Sequence, residues 1–476
     1  MTLPNNEKNH LFLGTFIHSK RLDELQYLHD TAICVNTTGK IVAIEPECDQ
    51  SKAEASLYPK LGWTTHDVIV TAAKEGQFFF PGFIDTHLHA PQYPNVGIFG
   101  KSTLLDWLNT YTFPMEASMA SLSKARKVYT RCVRRTLAHG TTTATYFATI
   151  HVESTNLLAD LCLSMGQRAF IGRVCMDQLG PDYYLDESAE QGLAATRANI
   201  AHIRSIDRDF ELVSPIITPR FAPACSADML RRLGDLAAET RLPVQTHVSE
   251  NVSEIALVRE LFPDSPHYTG VYEQAGLLGD RTILAHAIHL SDEEADLVAR
   301  RKAKVAHCPC SNSAITSGEA RVRWLLEKGI DVGLGTDMSG GYSPSVLEAA
   351  RLACLVSNHL AMPNKQADGC SQSEKEKSKL SVEEVLYLAT RGGAEVVGLS
   401  SKVGSFEVGM DWDAQLIGLD MVSEEAVDDY TDDGGNVEIF GWETWEDLVA
   451  KWLFNGDDRN TKKVWVRGRL VHERRS

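Results

Sequence analysis

The sequence predicts an α/β protein: a (β/α)8 TIM-like barrel with a small β-sandwich domain built from both chain ends. Three observations predict it. Apolar runs of strand length alternate with amphipathic helical stretches through the middle of the chain. Those strands are apolar on both faces, as parallel strands covered by helices must be. Short strand-like runs recur before and after this region, and 476 residues suit one large domain plus a smaller one.

The first segment reads as β. Leu11–Ile17 and Ala32–Val35 are apolar runs, Thr38-Gly39-Lys40 makes a turn, and Ile41–Ile44 resumes the strand texture. Barrel strands are predicted at Gly82–His89, Thr141–Phe147, Arg168–Val174, Glu211–Thr218, Pro243–Val248, Thr282–His286, Lys304–His307 and Asp331–Gly335. Helices are predicted at Ser123–Ala138, stopped by Gly140, at Ser226–Thr240, stopped by Pro243, and at Asp292–Arg301. Eight such units over about 250 residues or more fit the barrel. The stretch Leu179–Asp209 is left without firm boundaries. Asn364–Lys379 is polar and reads as an exposed insertion, and the acidic run Glu424–Asp433 as a solvated loop. After Gly392 the β texture returns at Ala414–Leu419, Lys463–Val466 and Leu470-Val471. The domain expectation is therefore 1–77 and 401–476 for the small β domain and 78–400 for the barrel.

The net charge of -17, from 47 basic against 64 acidic side chains, repels phosphate backbones and makes a nucleic-acid partner a poor candidate. No apolar stretch has the roughly 18 residues of a membrane span, and Met1–Lys20 lacks the pattern of a secretory signal. Ten cysteines without a disulfide-like spacing point to reduced thiols and a cytoplasmic setting.

The chemistry is concentrated at strand ends. In Pro81-Gly82-Phe83-Ile84-Asp85-Thr86-His87-Leu88-His89, residues i and i+2 of a strand share one face, so His87 and His89 converge. His247 closes the fifth strand, His286 the sixth, and Asp337 follows the eighth. In a barrel these carboxyl ends gather on one face, where active sites lie. Imidazole and carboxylate donors suit zinc, or ferrous iron less decisively. A single histidine at such a place is usually structural; this many in register is not.

These motifs, with Thr246-His247-Val248-Ser249-Glu250, Ala285-His286, His307-Cys308-Pro309 and Gly335-Thr336-Asp337, resemble those of the amidohydrolase superfamily. The resemblance covers nearly the whole chain. It implies metal ligation by His87, His89, His247 and Asp337, with His286 beside the metal-bound water. Some members hold two metals through a lysine ending the fourth strand. Here that region reads Ile216-Ile217-Thr218-Pro219-Arg220-Phe221, so one zinc ion per subunit is expected. Glu250 falls three residues after His247, as in the deaminases of the superfamily. That match implies a proton shuttle rather than a solvated loop carboxylate.

Two further stretches narrow the substrate. His89-Ala90-Pro91-Gln92-Tyr93-Pro94-Asn95 and Thr218-Pro219-Arg220-Phe221 look like the guanine deaminases of that superfamily, as do Gly340-Gly341-Tyr342-Ser343 and Gly456-Asp457-Asp458-Arg459-Asn460. The expected ligand is a small purine base. Gln92 and Arg220 would hydrogen-bond its edge and Phe221 would wall its face. His247, Glu250 and Asp337 would touch its reacting end. Glu250, His286 and Asp337 would be catalytic. The resemblance also suggests a homodimer. Alternatives are an aminohydrolase acting on cytosine, an adenosine-type nucleoside or a triazine, and a metal-free assembly protein on the same scaffold. A cytidine-deaminase-type zinc site is excluded. His151-Val152-Glu153 matches its first half, but Pro309-Cys310-Ser311-Asn312-Ser313 lacks the second cysteine.

Overall fold

A computed structural model describes residues 6–362, 376–422 and 436–474. The acidic run Glu424–Asp433 and most of the insertion Asn364–Lys379 lie outside them. The chain opens with strands β1 (Asn9–Arg21), β2 (Glu24–Val35), β3 (Ile41–Glu45), β4 (Val68–Ala72) and β5 (Gln77–Pro81). It continues through β6 (Phe83–His89), β7 (Thr141–Phe147), β8 (Arg168–Gly172), β9 (Val174–Cys175), β10 (Val213–Pro215) and β11 (Thr218–Pro219). Then come β12 (Val244–Val248), β13 (Thr282–His286), β14 (Lys304–His307) and β15 (Val332–Leu334). It closes with β16 (Ala414–Gly418), β17 (Asp420–Met421), β18 (Glu438–Ile439), β19 (Thr461–Val466) and β20 (Arg469–Glu473).

Both chain ends build one eight-stranded sheet in the order β20-β19-β16-β5-β1-β2-β3, with β4 also on β1. β1 and β19 are three strand spacings apart, about 14 Å in a flat sheet. Yet the rings of Phe12 and Trp465 meet edge-on at 5.3 Å, and Phe12 stacks on Trp412 at 4.2 Å. The sheet therefore curls over an aromatic core. Arg168 at the start of β8 ties this unit to the parallel strands, donating to Asp411 at 2.9 Å and to Asp413 at 3.1 Å, all three buried.

The middle of the chain forms two four-stranded parallel sheets, β10-β8-β7-β6 and β12-β13-β14-β15, plus the short parallel pair β11-β9. Their flanks meet. Ile217 bridges to Val244 in parallel. On the other side Thr86 donates to Leu334 O at 2.9 Å, Asp337 N to His87 O at 2.9 Å, and His89 N to Met338 O at 2.9 Å. The predicted fourth strand Glu211–Thr218 is broken. Val213–Pro215 pairs with β8, whereas Ile217 turns to Val244 and Thr218-Pro219 pairs with β9.

The helices follow their sequence signals. Ala227–Thr240 begins where the Ser226 hydroxyl accepts from Met229 N and ends at Arg241 in the left-handed region. It buries Met229, Leu230, Leu233 and Leu236, each worth about 1.5–3 kcal/mol when fully removed from water. Gly234 sits between them because a Cβ there would lie 1.7 Å from Ala275 O. Asp292–Arg301 carries a full capping box of Ser291 and Glu294. The unassigned stretch near residue 190 holds helix Ala189–Ile206, started by Ser188. His151 and Glu153, the half-motif set aside above, lie at the start of helix Val152–Met165, His151 as its N-cap residue. The described cysteines are free and buried, and no described helix is long and apolar enough to cross a membrane.

One histidine makes the fold acid-sensitive. His18 on β1 is buried; its Nδ1 lies 2.6 Å from Ser405 Oγ and accepts from Phe406 N at 3.3 Å. Burial lowers its pKa from 6.5 to about 4. Between those values the unfolded chain binds a proton that the folded one refuses, so stability falls as pH drops. His18→Gln is expected to flatten that slope by about 1.4 kcal/mol per pH unit in denaturation curves taken between pH 4 and 6.5.

Candidate active site

The site is assembled from the carboxyl ends of the parallel strands. His87 and His89 end β6 on one face, His247 lies on β12, and His286 ends β13. Asp337 follows β15 through Gly335 and Thr336. Asp85 clamps the two flanking segments: it accepts from Thr336 Oγ1 at 2.6 Å and Thr336 N at 3.0 Å. Gly335 is required by closeness, because a Cβ there would lie 2.9 Å from His87 Cβ and from Cys308 Sγ. Gly340 clears Asp337 Oδ2 in the same way, at 2.9 Å. Ser249, His286, Ala287 and Asp337 all have positive φ, so the loops here hold backbone conformations that L-residues seldom adopt.

Four donors converge. His87 Nε2 and His89 Nε2 are 3.3 Å apart, His89 Nε2 and His247 Nε2 are 3.3 Å apart, and Asp337 Oδ1 lies 3.2 Å from both His87 Nε2 and His89 Nε2. A tetrahedral ion with bonds of about 2.0–2.1 Å needs donor–donor edges of about 3.3–3.4 Å. The spacing therefore fits a divalent ion. Tautomers fit as well: His247 Nδ1 donates to Arg220 O at 2.6 Å, which leaves the Nε2 lone pair free. Burial, then the neighbouring imidazoles, hold His247 neutral. Burial alone would raise the Asp337 carboxyl, but His87 and His89 hold it well below the usual carboxylate range. A second grouping, His87, His286 and Cys308, is also tight. Burial keeps the Cys308 thiol protonated, which makes it a poor ligand.

His286 stands beside the four donors. Its Nδ1 donates to Asn312 Oδ1 at 2.8 Å, and its Nε2 lies 3.4 Å from Glu250 Oε2 and 3.8 Å from Asp337 Oδ2. Asn312 is thus a buried anchor for His286. Glu250 also accepts from Ser317 Oγ at 3.2 Å, and burial with the Asp337 charge pushes its carboxyl up to about 8.

These groups floor a cleft of ≈ 400 Å³, whose walls include Gln92, Arg220 and Phe221. The sequence did not reveal what fixes the first two. Glu116, fully buried, accepts from Arg220 through the two terminal guanidinium nitrogens, at 2.7 and 3.2 Å, from Gln92 Nε2 at 2.7 Å and from Tyr184 at 2.8 Å. One N–H of the Gln92 amide goes to Glu116; Oε1, which accepts from Ser339 Oγ at 3.5 Å, keeps a second lone pair as an acceptor, and Arg220 keeps N–H groups to donate. Leu104, Trp107, Leu108 and Ile315 complete apolar walls that sequence reasoning also missed.

A sequence model of the amidohydrolase family matches residues 78–471. A probable guanine deaminase of Schizosaccharomyces pombe is 48% identical, with 97% of this chain and 83% of that protein covered. Guanine deaminase of Rattus norvegicus is 40% identical over 97% of this chain and 96% of its own length. The crystal structure of guanine deaminase from C. acetobutylicum with bound guanine superposes with a TM-score of 0.83 at 34% identity, covering 98% of this chain and 100% of that one. A family match across most of the chain, on a strand-end cluster of the geometry just described, shows that this protein belongs to the amidohydrolase family.

Proposed function

We propose that this protein is a guanine deaminase, converting guanine and water to xanthine and ammonia. The observation that carries the reading is the Glu116 anchor, which sets a Gln92 acceptor and an Arg220 donor side by side above the four-donor cluster. Guanine presents the complementary pair, a ring N–H next to a carbonyl oxygen. Adenine presents neither in that order, and a site built on such pairs rejects the mismatch strongly. Phe221 walls the cleft, its ring 6.5 Å from that of His247.

His87, His89, His247 and Asp337 would hold one zinc ion, which supplies Lewis acidity and an activated water at neutral pH. The chain's own groups then move protons. Asp337 Oδ2 takes one from the attacking water, and His286, fixed by Asn312, orients that water. Glu250 carries a proton at neutral pH and delivers it to the ring nitrogen beside the amino-bearing carbon. A tetrahedral carbon forms, a second proton reaches the amine, and ammonia leaves.

The same reading takes the two parallel sheets as one closed (β/α)8 barrel within 78–400. The bridge at Ile217 and the bonds between His87, His89 and the segment after β15 support it. The curled eight-stranded sheet is taken as a sandwich-like domain from 1–77 and 401–476, supported by the Phe12–Trp465 contact. A homodimer is part of the proposal, checked by sedimentation.

The test is to follow guanine loss and ammonia release by metal-replete protein. Chelation is expected to lower the rate at least about 100-fold, with zinc restoring it and elemental analysis giving one ion per chain. Failure to consume guanine while cytosine, an adenosine-type nucleoside or a triazine is consumed would overturn the substrate assignment.

A further inference from the structure

Trp107, which lines the cleft, carries a polar atom that the reading above leaves unused; Ser311 Oγ is a second unpaired group there, but a hydroxyl can both donate and accept and so does not define its partner. Trp107 ends helix Leu104–Trp107, is 4% exposed, and has an indole Nε1–H that is buried without a hydrogen-bond partner. An unpaired buried donor costs about 1–3 kcal/mol and is uncommon. Trp412 and Trp452 share that deficit, but their rings sit inside aromatic packing, on Phe12 and against Phe80. Trp107 instead lines the cleft that also contains Gln92, Arg220 and Glu250.

An indole N–H donates and never accepts, so the missing partner is an acceptor on the ligand. On a bound guanine, Gln92 and Arg220 face the N–H and carbonyl of the six-membered ring, and Glu250 faces the nitrogen beside the reacting carbon. The acceptor left over is N7, on the five-membered ring. Leu104, Leu108 and Ile315, which also line the cleft, have side chains that offer that N–H no acceptor.

We propose that Trp107 is a substrate-binding residue whose indole N–H donates to N7 of the purine and so fixes the orientation of the ring in the cleft. The proposal rests on the guanine reading, and its test separates the two. Guanine and 7-deazaguanine, in which N7 is replaced by C–H, are compared as substrates of the unmodified holoenzyme and of Trp107→Phe, which keeps an aromatic wall but has no donor. In the unmodified enzyme 7-deazaguanine should show a KM about ten-fold higher, the loss of one neutral hydrogen bond. Trp107→Phe should raise KM for guanine by a similar factor, leave kcat within about three-fold, and treat the two bases alike, because their difference is already gone. If Trp107→Phe weakens both bases equally, the ring acts by packing alone and the proposal falls. If the unmodified enzyme does not distinguish the bases, it falls without any variant, so a Trp107→Phe protein that fails to fold does not shield it. An unmodified enzyme that consumes neither base refutes the guanine reading itself.

Discussion

Glu250→Gln is expected to lower kcat for guanine by about 10^3-fold or more, with KM and zinc content nearly unchanged. The amide has the same shape, and its oxygen can still accept from Ser317 Oγ, the 3.2 Å contact that holds the carboxylate in place. What it loses is the proton. Burial and the nearby Asp337 charge push the Glu250 carboxyl up to about 8, so at neutral pH it arrives loaded and can give its proton to a ring nitrogen. An amide has no proton to give in this range. Because Glu250 is outside the four-donor cluster, metal analysis of the variant should match the parent. Activity near that of the parent would remove Glu250 from the proton path. A parallel loss of zinc would make its role structural.

The converging imidazole and carboxylate groups were legible because strand geometry is local. His87 and His89 share a face by the period of two, and β6 delivers both to its carboxyl end. His247, His286 and Asp337 fall at or just after strand ends that apolar runs already marked. The fourth strand was less legible. Its two short apolar pairs, Leu212-Val213 and Ile216-Ile217, read as one strand in sequence, but Pro215 and Pro219 lack the N–H a continuous ladder needs, and the segment divides its bonds between β8, β9 and β12. Glu116 was invisible for a different reason. It is one acid in a five-residue helix, Phe113–Ala117, with no periodic pattern around it. Its meaning comes from Arg220 and Tyr184, which lie 104 and 68 residues away. Trp107 was hidden in the same way, since an unpaired N–H exists only once the fold has surrounded it.

Glu116 also carries the other large expected effect. Glu116→Gln should destabilise the fold by about 3–5 kcal/mol, since it strands the buried Arg220 charge. On the proposed reading it should also lower kcat/KM for guanine on the order of 10^3-fold, because Gln92 and Arg220 lose their common anchor. Tyr184 and Gln92 would each lose a charged acceptor, at 2.8 and 2.7 Å. The Phe113 ring, 5.0 Å from the guanidinium carbon, would still favour a cation there but could not replace a two-point ion pair. The two consequences separate in the double variant Glu116→Leu with Arg220→Met. Removing both charges should return part of the stability in denaturant titrations, because an apolar pair of similar volume often equals or exceeds a buried ion pair, while the unpaired Tyr184 hydroxyl and Gln92 amide keep the rest lost. Guanine turnover should stay lost, since the donor is gone along with its anchor. A double variant that regains stability and still consumes guanine at the parental rate would show that the ion pair serves the fold alone. The recognition of the base would then have to rest on other walls of the cleft.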